Sequence, residues 1–257
     1  MLAEKLIDLR GKVAVITGGA GGIGRGSAEM LASAGADIAL LDIKGEEAAK
    51  TASEISSKYG VKAVGYKCDV MSEEEQESVI KAAVSEFGTI NILVNNTGGG
   101  GGGREVFENL TTEYLNKIYT FNVYSIFRFS KLCLPYMRES GYGSIINISS
   151  MASVASSVNM TVYASSKAAV NALTRQMAID LAPVRVNAVA PGAIKTYALS
   201  TVLTEELENH MLKSTPLKRL GKPEDIGSAV LFFASPMSEW VTGQTMIVSG
   251  GGMQTLD

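Results

Sequence analysis

The chain has 257 residues, of which 46% are hydrophobic and 19% are charged, and its net charge at pH 7 is −3. This composition is typical of a globular protein and excludes an intrinsically disordered chain. The slightly acidic balance offers no basic surface to nucleic acid or to an anionic membrane, so we expect neither as a partner. The 27 glycines make up about 10.5% of the 257 residues, which is above the average share of about 7%.

Short β-branched, apolar runs alternate with longer helical patterns along the chain. The strand-like runs are continuously apolar, which is typical of strands buried on both faces. The alternation predicts an α/β fold: a doubly wound, parallel, seven-stranded sheet with helices on both faces. We predict strands at residues 13–17, 38–42, 63–69, 90–95, 144–149, 184–190 and 245–248, and helices at residues 24–34, 45–59, 72–87, 112–137, 164–181 and 223–234.

Residues 1–257 are expected to form a single domain, because no linker, repeat or charged tail divides the sequence. An insertion at about residues 193–220 has apolar residues spaced as in amphipathic helices. We expect this insertion to cover the substrate, as long insertions beside such a sheet often do. The alternative is that its apolar residues pack against the domain or against a neighbouring subunit.

A cytoplasmic location is expected from three features of the sequence. The first twelve residues contain charges and lack the apolar core of a signal peptide. No segment approaches the ~20 apolar residues that a bilayer span needs. Cys68 and Cys133 lie in apolar segments and are expected to be reduced core residues. His210 is the only histidine, and we expect no metal site.

The first dense cluster of glycines, which includes Gly18, Gly22 and Gly24, follows the first predicted strand and opens the first predicted helix. Glycines at such a turn let the backbone approach a pyrophosphate that the helix N-terminus holds. A flexible loop is the alternative, because a glycine-rich string alone is weak support for a binding site.

Asp42 closes the second predicted strand, 18 residues after Gly24. An acid at about 20 residues from such a turn is typical of ribose recognition. Its carboxylate would accept hydrogen bonds from both ribose hydroxyls and would repel a 2′-phosphate. We therefore predict NAD as the cofactor rather than NADP; a solvated residue at a strand end is the alternative.

Tyr163 and Lys167 are four residues apart in a predicted helix, so that they lie on one face. A tyrosine with a pKa near 10 is a poor base at neutral pH, and a nearby lysine would favour its phenolate form. Ser150 follows the fifth predicted strand, where open α/β sheets place ligands. A chance surface pair is the alternative for the tyrosine and the lysine taken alone.

These residues resemble the short-chain dehydrogenase/reductase family in order and spacing over essentially the whole chain. The motifs that carry the resemblance are the turn at residues 17–24, Asn95-Asn96-Thr97-Gly98, Asn122, Ser150, Tyr163, Lys167 and Pro191-Gly192. The resemblance implies a Rossmann-type fold, a homotetramer or homodimer, and an oxidoreductase that acts on CH–OH groups. It also implies a catalytic tetrad of Asn122, Ser150, Tyr163 and Lys167.

The resemblance gives each member of the tetrad a role. Tyr163 would be the general acid and base, and Lys167 would lower its pKa and bind the nicotinamide ribose. Ser150 would orient the carbonyl or alcohol, and Asn122 would hold a water of the proton relay. The predicted substrate contacts are Gly100, Ser150 and Tyr163, and the predicted cofactor contacts are Gly18, Gly22, Ile23, Gly24, Asp42, Ile43, Asp69, Val70, Asn96, Tyr163, Lys167, Ile194 and Thr196.

Within the family, residues 95–101, 159–167 and 248–252 are similar to the bacterial hydroxysteroid dehydrogenases of the 7α type. This similarity implies hydride transfer between NAD and a secondary alcohol or ketone on a bulky apolar molecule, with a bile acid as the expected substrate. Two alternatives stay open. One is a 3-oxoacyl-carrier reductase or another short-chain alcohol or ketone reductase, and the other is a catalytically inactive NAD-binding sensor.

Overall fold

A computed structural model describes residues 2–100, 105–156, 158–201 and 203–252 of the chain. Within these residues, seven strands pair in one sheet, and each pair is parallel. The strands are β1 (Val13–Thr17), β2 (Asp37–Asp42), β3 (Ala63–Lys67), β4 (Ile92–Asn95), β5 (Ser144–Ile148), β6 (Arg185–Pro191) and β7 (Thr245–Val248).

The order of strands across the sheet is β3-β2-β1-β4-β5-β6-β7. The chain first builds outward from β1 to β3, then returns and builds in the other direction from β4. The order therefore reverses between β1 and β4, and a crevice opens there at the carboxyl ends of the strands. This topology confirms the predicted parallel, doubly wound sheet of a single domain.

Helices cover both faces of the sheet. One hydrophobic cluster joins the sheet to α2, α3 and α10, and a second joins it to α4, α6 and the end of α7. The helices are α1 (Leu2–Ile7), α2 (Gly22–Ser33), α3 (Gly45–Tyr59), α4 (Glu73–Phe87), α5 (Thr112–Tyr119), α6 (Ser125–Glu139), α7 (Thr161–Asp180), α8 (Tyr197–Ser200), α9 (Glu205–Lys213) and α10 (Pro223–Ala234).

Local sequence signals account for several helix ends. Ser72 caps α4 by accepting a hydrogen bond from the backbone N–H of Glu75, at 3.2 Å. Thr111 caps α5 in the same way through Tyr114. Such caps satisfy backbone N–H groups that have no partner within the helix. The N-terminal helix α1 was not among the predicted elements.

The largest differences between the predicted and the observed helices are found in two places. The helix predicted at residues 112–137 is interrupted by a π-helical turn at Thr120–Tyr124. The helix predicted to begin at residue 164 begins at Thr161, although its N-cap residue, Met160, makes no side-chain cap. Neither feature has a signal in the neighbouring sequence.

The insertion at residues 193–220 contains α8 and α9 and is closed at its base. Ile194 and Gly221 form an isolated parallel bridge. The N–H of Lys195 donates to the Gly221 carbonyl at 2.8 Å, and the N–H of Gly221 donates to the Ala193 carbonyl at 2.9 Å. The segment therefore leaves and re-enters the domain at one hydrogen-bonded neck.

Cys68 and Cys133 are both buried and both free, as expected of core residues. Burial raises the pKa of the Cys68 thiol to about 12. Over the described parts of the chain, every helix is too short or too polar to cross a bilayer.

The contact between α2 and α10 depends on glycine. A Cβ on Gly26 would lie 2.6 Å from Cβ of Pro223, and a Cβ on Gly227 would lie 2.6 Å from the Gly26 carbonyl oxygen. Both distances are shorter than real Cβ contacts, so the two helix backbones touch directly.

We predict that Gly26→Ala lowers the free energy of unfolding by about 1–3 kcal/mol, because the added methyl group forces the two helices apart. Urea unfolding of the purified protein measures the change. Gly21→Ala is the control, because a Cβ there meets nothing within 4 Å. Equal stability of the two variants would contradict direct helix contact at Gly26.

Candidate active site

A cleft of about 830 Å³ lies at the carboxyl ends of the strands, beside the point where the strand order reverses. This is where open parallel sheets bind ligands, and the volume is within the usual range for small-molecule sites. Many of the predicted site residues line this cleft: Gly18, Gly22, Ile23, Asp42, Asn96, Ser150, Tyr163, Lys167, Ile194 and Thr196.

Other predicted residues lie behind or beside the cleft wall. Gly24 is buried in α2, and Val70 is buried in the core. The Ile43 side chain is 61% exposed. The Asp69 carboxylate accepts from the N–H of Met71. The structure does not bring these four predicted cofactor contacts to the cleft, so they stay predictions.

The glycine turn between β1 and α2 is shaped for close approach. Gly18 and Gly22 have φ values of +62° and +53°, a region that favours glycine. A Cβ on Gly24 would lie 2.1 Å from the Gly18 carbonyl oxygen. The turn is therefore tight, and Gly22 starts the helix with its N-terminus at the cleft. A phosphate group would find free N–H groups and a helix dipole there.

The Asp42 carboxylate is held against this turn from two sides. One oxygen accepts from the N–H of Ala20 and the other accepts from the N–H of Lys44, both at 3.1 Å. Each carboxylate oxygen has a second lone pair. Asp42 can therefore accept further hydrogen bonds from a diol in the cleft without losing its own support.

Tyr163 and Ser150 meet at the opposite end of the cleft. Burial raises the pKa of the Tyr163 phenol above its usual range, and a hydrogen bond from Ser150 lowers it in part. Ser150 is the second residue after the end of β5, and its hydroxyl accepts from the N–H of Ala152 at 3.1 Å. The two hydroxyl groups form a polar pair to which an alcohol or carbonyl oxygen can bind.

Lys167 lies on α7 one turn after Tyr163 and is only 3% exposed. Its ammonium donates to the Ile148 carbonyl at 2.9 Å, and burial lowers its pKa to about 8. Nζ lies 6.0 Å from the centroid of the Tyr163 ring. The ammonium is not among the groups that shift the Tyr163 pKa, so the predicted effect of Lys167 stays a prediction for the complex with the cofactor.

Asn122 lies in the π-helical turn and is fully buried. Its side chain accepts from the N–H of Gly99 at 2.9 Å and donates to the Gly99 carbonyl at 2.8 Å. It also donates to the Ser166 hydroxyl on α7 at 2.8 Å. Such π-helical turns are frequent at functional sites. The side chain connects the glycine segment to α7, and its predicted role in holding a water stays a prediction.

The glycines after β4 leave room for the tetrad. A Cβ on Gly98 would lie 2.7 Å from Nζ of Lys167, and a Cβ on Gly100 would lie 2.5 Å from Cδ2 of Tyr163. Gly100 therefore lies against the tyrosine ring but outside the cleft wall. The next three glycines of the run lie outside the described residues.

Comparison with known proteins agrees with this site. A family model described as enoyl-(acyl carrier protein) reductase matches residues 18–253. The 7alpha-hydroxysteroid dehydrogenase of Escherichia coli strain K12 is 45% identical over 253 residues, which cover 98% of each chain. The 3-oxoacyl-[acyl-carrier-protein] reductase FabG of Aquifex aeolicus is 36% identical over 247 residues, covering 95% of this chain and 98% of its own.

A solved structure of 7 alpha-hydroxysteroid dehydrogenase complexed with NADH and 7-oxo glycochenodeoxycholic acid has a TM-score of 0.94 to this chain. The two chains are 44% identical, and the match covers 99% of each. The chain belongs to the short-chain dehydrogenase/reductase family. It is an oxidoreductase, as the resemblance of its motifs implied.

Sequence reasoning missed three groups in this short-chain dehydrogenase/reductase that hold the site together. The Thr17 hydroxyl accepts from the N–H groups of Asn96 and Thr97, both at 3.0 Å, and so joins β1 to the segment after β4. The Ser149 hydroxyl donates to the Lys167 carbonyl at 3.2 Å. The Glu105 carboxylate receives backbone N–H groups of α7. Each acts across a long sequence separation, so no local pattern identifies it.

We predict that Lys167→Met stabilises the fold at neutral pH, because the buried ammonium is costly. Its pKa falls from 10.5 unfolded to about 8 folded, which corresponds to a penalty of about 3 kcal/mol. The unfolded chain binds the extra proton between these pKa values, so the penalty is full below pH 8 and disappears by about pH 10.5.

Urea unfolding at pH 7 and at pH 10 measures this difference. The variant is expected to be more stable by about 2 kcal/mol at pH 7, since the lost hydrogen bond to Ile148 offsets about 1 kcal/mol, and the advantage should shrink at pH 10. Lys131→Met, at an exposed position on α6, is the control. A variant less stable than the parent at pH 7 would show that the ammonium stabilises the fold.

Proposed function

We propose that the protein is an NAD-dependent dehydrogenase that reversibly transfers hydride between the nicotinamide and a secondary alcohol or ketone, with a 7α-hydroxysteroid of the bile-acid class as substrate. The observation that carries the chemistry is that Ser150, Tyr163 and Lys167 line one cleft, with Ser150 close enough to the phenol to lower its pKa. The substrate class rests on the relative and the solved structure named above.

The residues of the cleft fit a dinucleotide. The tight turn at Gly18 and Gly22 and the N-terminus of α2 would hold the pyrophosphate. The Asp42 carboxylate, fixed by two backbone N–H groups, would accept from the adenosine ribose hydroxyls. Ile194 and Thr196 line the other end of the cleft, where the nicotinamide would lie next to Tyr163. The bound cofactor supplies the hydride acceptor or donor.

In the oxidation direction, the substrate hydroxyl would bind between the hydroxyl groups of Ser150 and Tyr163. Tyr163, deprotonated in the complex with the cofactor, would take the hydroxyl proton while the hydride of the adjacent C–H bond passes to the nicotinamide. Lys167 would hold positive charge below the phenolate, and its Ile148 contact fixes its position. In the reduction direction, Tyr163 would return the proton to the carbonyl oxygen.

An apolar surface beside Ser150 supports a bulky apolar substrate. Val154 and Val158 follow Ser150, and each side chain is more than half exposed. The insertion at residues 193–220, hinged at its neck, would cover such a molecule. Met211 of α9 and Leu220 already pack inward, so part of the apolar face stabilises the insertion itself.

A homotetramer or homodimer in the cytoplasm is also part of the proposal. Large apolar side chains are exposed on several helices, among them Phe127 of α6 and Ile179 of α7. Exposed apolar surface of this kind is typical of subunit interfaces. The free buried thiols suit a reducing compartment. Light scattering of the purified protein would give the oligomeric state directly.

We predict that Tyr163→Phe lowers kcat by about 10²- to 10⁴-fold, because general acid and base catalysis is lost. Steady-state oxidation of a 7α-hydroxy bile acid with NAD measures the effect, and fluorescence titration with NADH checks cofactor binding. Tyr124→Phe, which removes an exposed phenol of the π-helical turn, is the control. Unchanged turnover in Tyr163→Phe would remove the proposed acid and base.

We predict that the parent enzyme prefers NAD and that Asp42→Asn lowers the ratio of kcat/KM for NAD to that for NADP by about 10- to 100-fold. The ratio falls because the substitution removes the carboxylate that would accept the two ribose hydrogen bonds of NAD and repel the 2′-phosphate of NADP. Asp37→Asn, at the other end of β2, is the control. A parent enzyme that prefers NADP would overturn the assignment of Asp42 and the choice of cofactor.

A substrate panel separates the alternatives. Oxidation of 7α-hydroxy bile acids but not of their 7β epimers would support the proposed class. Turnover of 3-oxoacyl thioesters alone would favour the carrier reductase, to which the Aquifex aeolicus relative points. NADH binding without turnover of any alcohol or ketone would favour the inactive sensor.

A further inference from the structure

Glu105 is a buried acid at the catalytic helix that the tetrad does not include. It follows the glycine run after β4, and its side chain is 3% exposed. One carboxylate oxygen, Oε2, accepts from the N–H of Val162 at 2.7 Å. Both oxygens accept from the N–H of Tyr163 at 3.2 Å. The acid therefore binds the first turn of α7 at the tyrosine itself.

The N-terminus of α7 has no cap of its own. Its N-cap residue, Met160, makes no side-chain hydrogen bond to the helix. The first N–H groups of a helix lack partners within the helix, and a carboxylate there also interacts well with the helix dipole. Glu105 supplies this cap from a segment more than 50 residues earlier in the chain.

Two further contacts fix Glu105 on both sides. The Tyr114 hydroxyl, on α5, donates to Oε1 at 3.0 Å. The N–H of Glu105 donates to the Asn159 carbonyl at 3.0 Å. Asn159 has φ +56°, a conformation that asparagine tolerates better than most residues. The loop before α7 and the segment after β4 are thereby joined through one residue.

We propose that Glu105 is a positioning residue for the acid–base step: its carboxylate fixes the first turn of α7 so that the Tyr163 phenol stays beside Ser150. Tyr163 is the third residue of α7, so a shift of this turn moves its ring directly. Gly100 lies against one side of that ring. This role rests on the proposed function of Tyr163.

The test compares Glu105→Ala with Glu105→Gln. The alanine variant removes the cap, and we expect kcat to fall by roughly 10- to 100-fold, as for a misplaced catalytic group. KM for the alcohol and the affinity for NADH should stay unchanged, because the contact matters in the transition state. Glutamine keeps an oxygen for the helix N–H groups and an amide that can donate to the Tyr114 oxygen, so it should restore most of the lost kcat.

Glu108→Ala is the matched control, because Glu108 is an exposed acid three residues away, and it should leave kcat unchanged. Hydrogen exchange should show faster exchange of the Val162 and Tyr163 amides in Glu105→Ala. If Glu105→Ala does not fold, Tyr114→Phe replaces it in the test, because this change removes the phenol that donates to Glu105. We then expect a reduced kcat at unchanged KM, and a parent-like kcat would overturn the proposal. A parent-like kcat in Glu105→Ala overturns the proposal, even if the variant is less stable. Parent-like turnover in Tyr163→Phe would instead refute the proposed function.

Discussion

A buried ammonium group is the constraint around which the cleft is built. Lys167 lies among the strands' ends with one carbonyl partner, and burial lowers its pKa to about 8. A buried charge is costly unless polar groups surround it. The structure accommodates the side chain by giving it room as well as a partner, since a Cβ at position 98 would lie 2.7 Å from Nζ and would displace it. Gly98 after β4 thus leaves the space that the charged group of α7 occupies.

Close packing between glycines and buried polar side chains is found elsewhere in the site as well. The π-helical turn directs Asn122 inward, where it binds both backbone groups of Gly99. These two hydrogen bonds fix the backbone at Gly99, where neighbouring glycines would otherwise allow many conformations. The Thr17 hydroxyl fixes the start of the same segment from β1. Glycines allow the close approach, and buried polar side chains remove the freedom that glycines bring.

Much of the fold and the site could be predicted from the sequence, because their signals are local. Continuous apolar strands and the glycine turn indicate a doubly wound sheet, and a Tyr and Lys four residues apart indicate one helix face. The start of α7 could not be predicted, because the cap comes from Glu105 and the neighbouring Met160 offers none. The interruption near Asn122 is likewise set by tertiary contacts with Gly99 and Ser166. Ile43 and Asp69 were predicted as cofactor contacts from the family resemblance, and neither lines the cleft.

The sheet determines where in the molecule the reaction can occur, and we propose that the segments outside the sheet determine which substrate binds there. The glycine turn, Asp42, Ser150 and Tyr163 lie at strand ends and helix starts, which the sheet holds in place. The apolar loop after Ser150 and the insertion closed by the bridge between Ile194 and Gly221 lie outside that frame. Under the proposed function, these two segments supply the apolar surface that faces the substrate. The chain is similar both to a relative named for a steroid and to one named for an acyl-carrier substrate, which agrees with our proposal that substrate choice depends on segments that the sheet does not constrain.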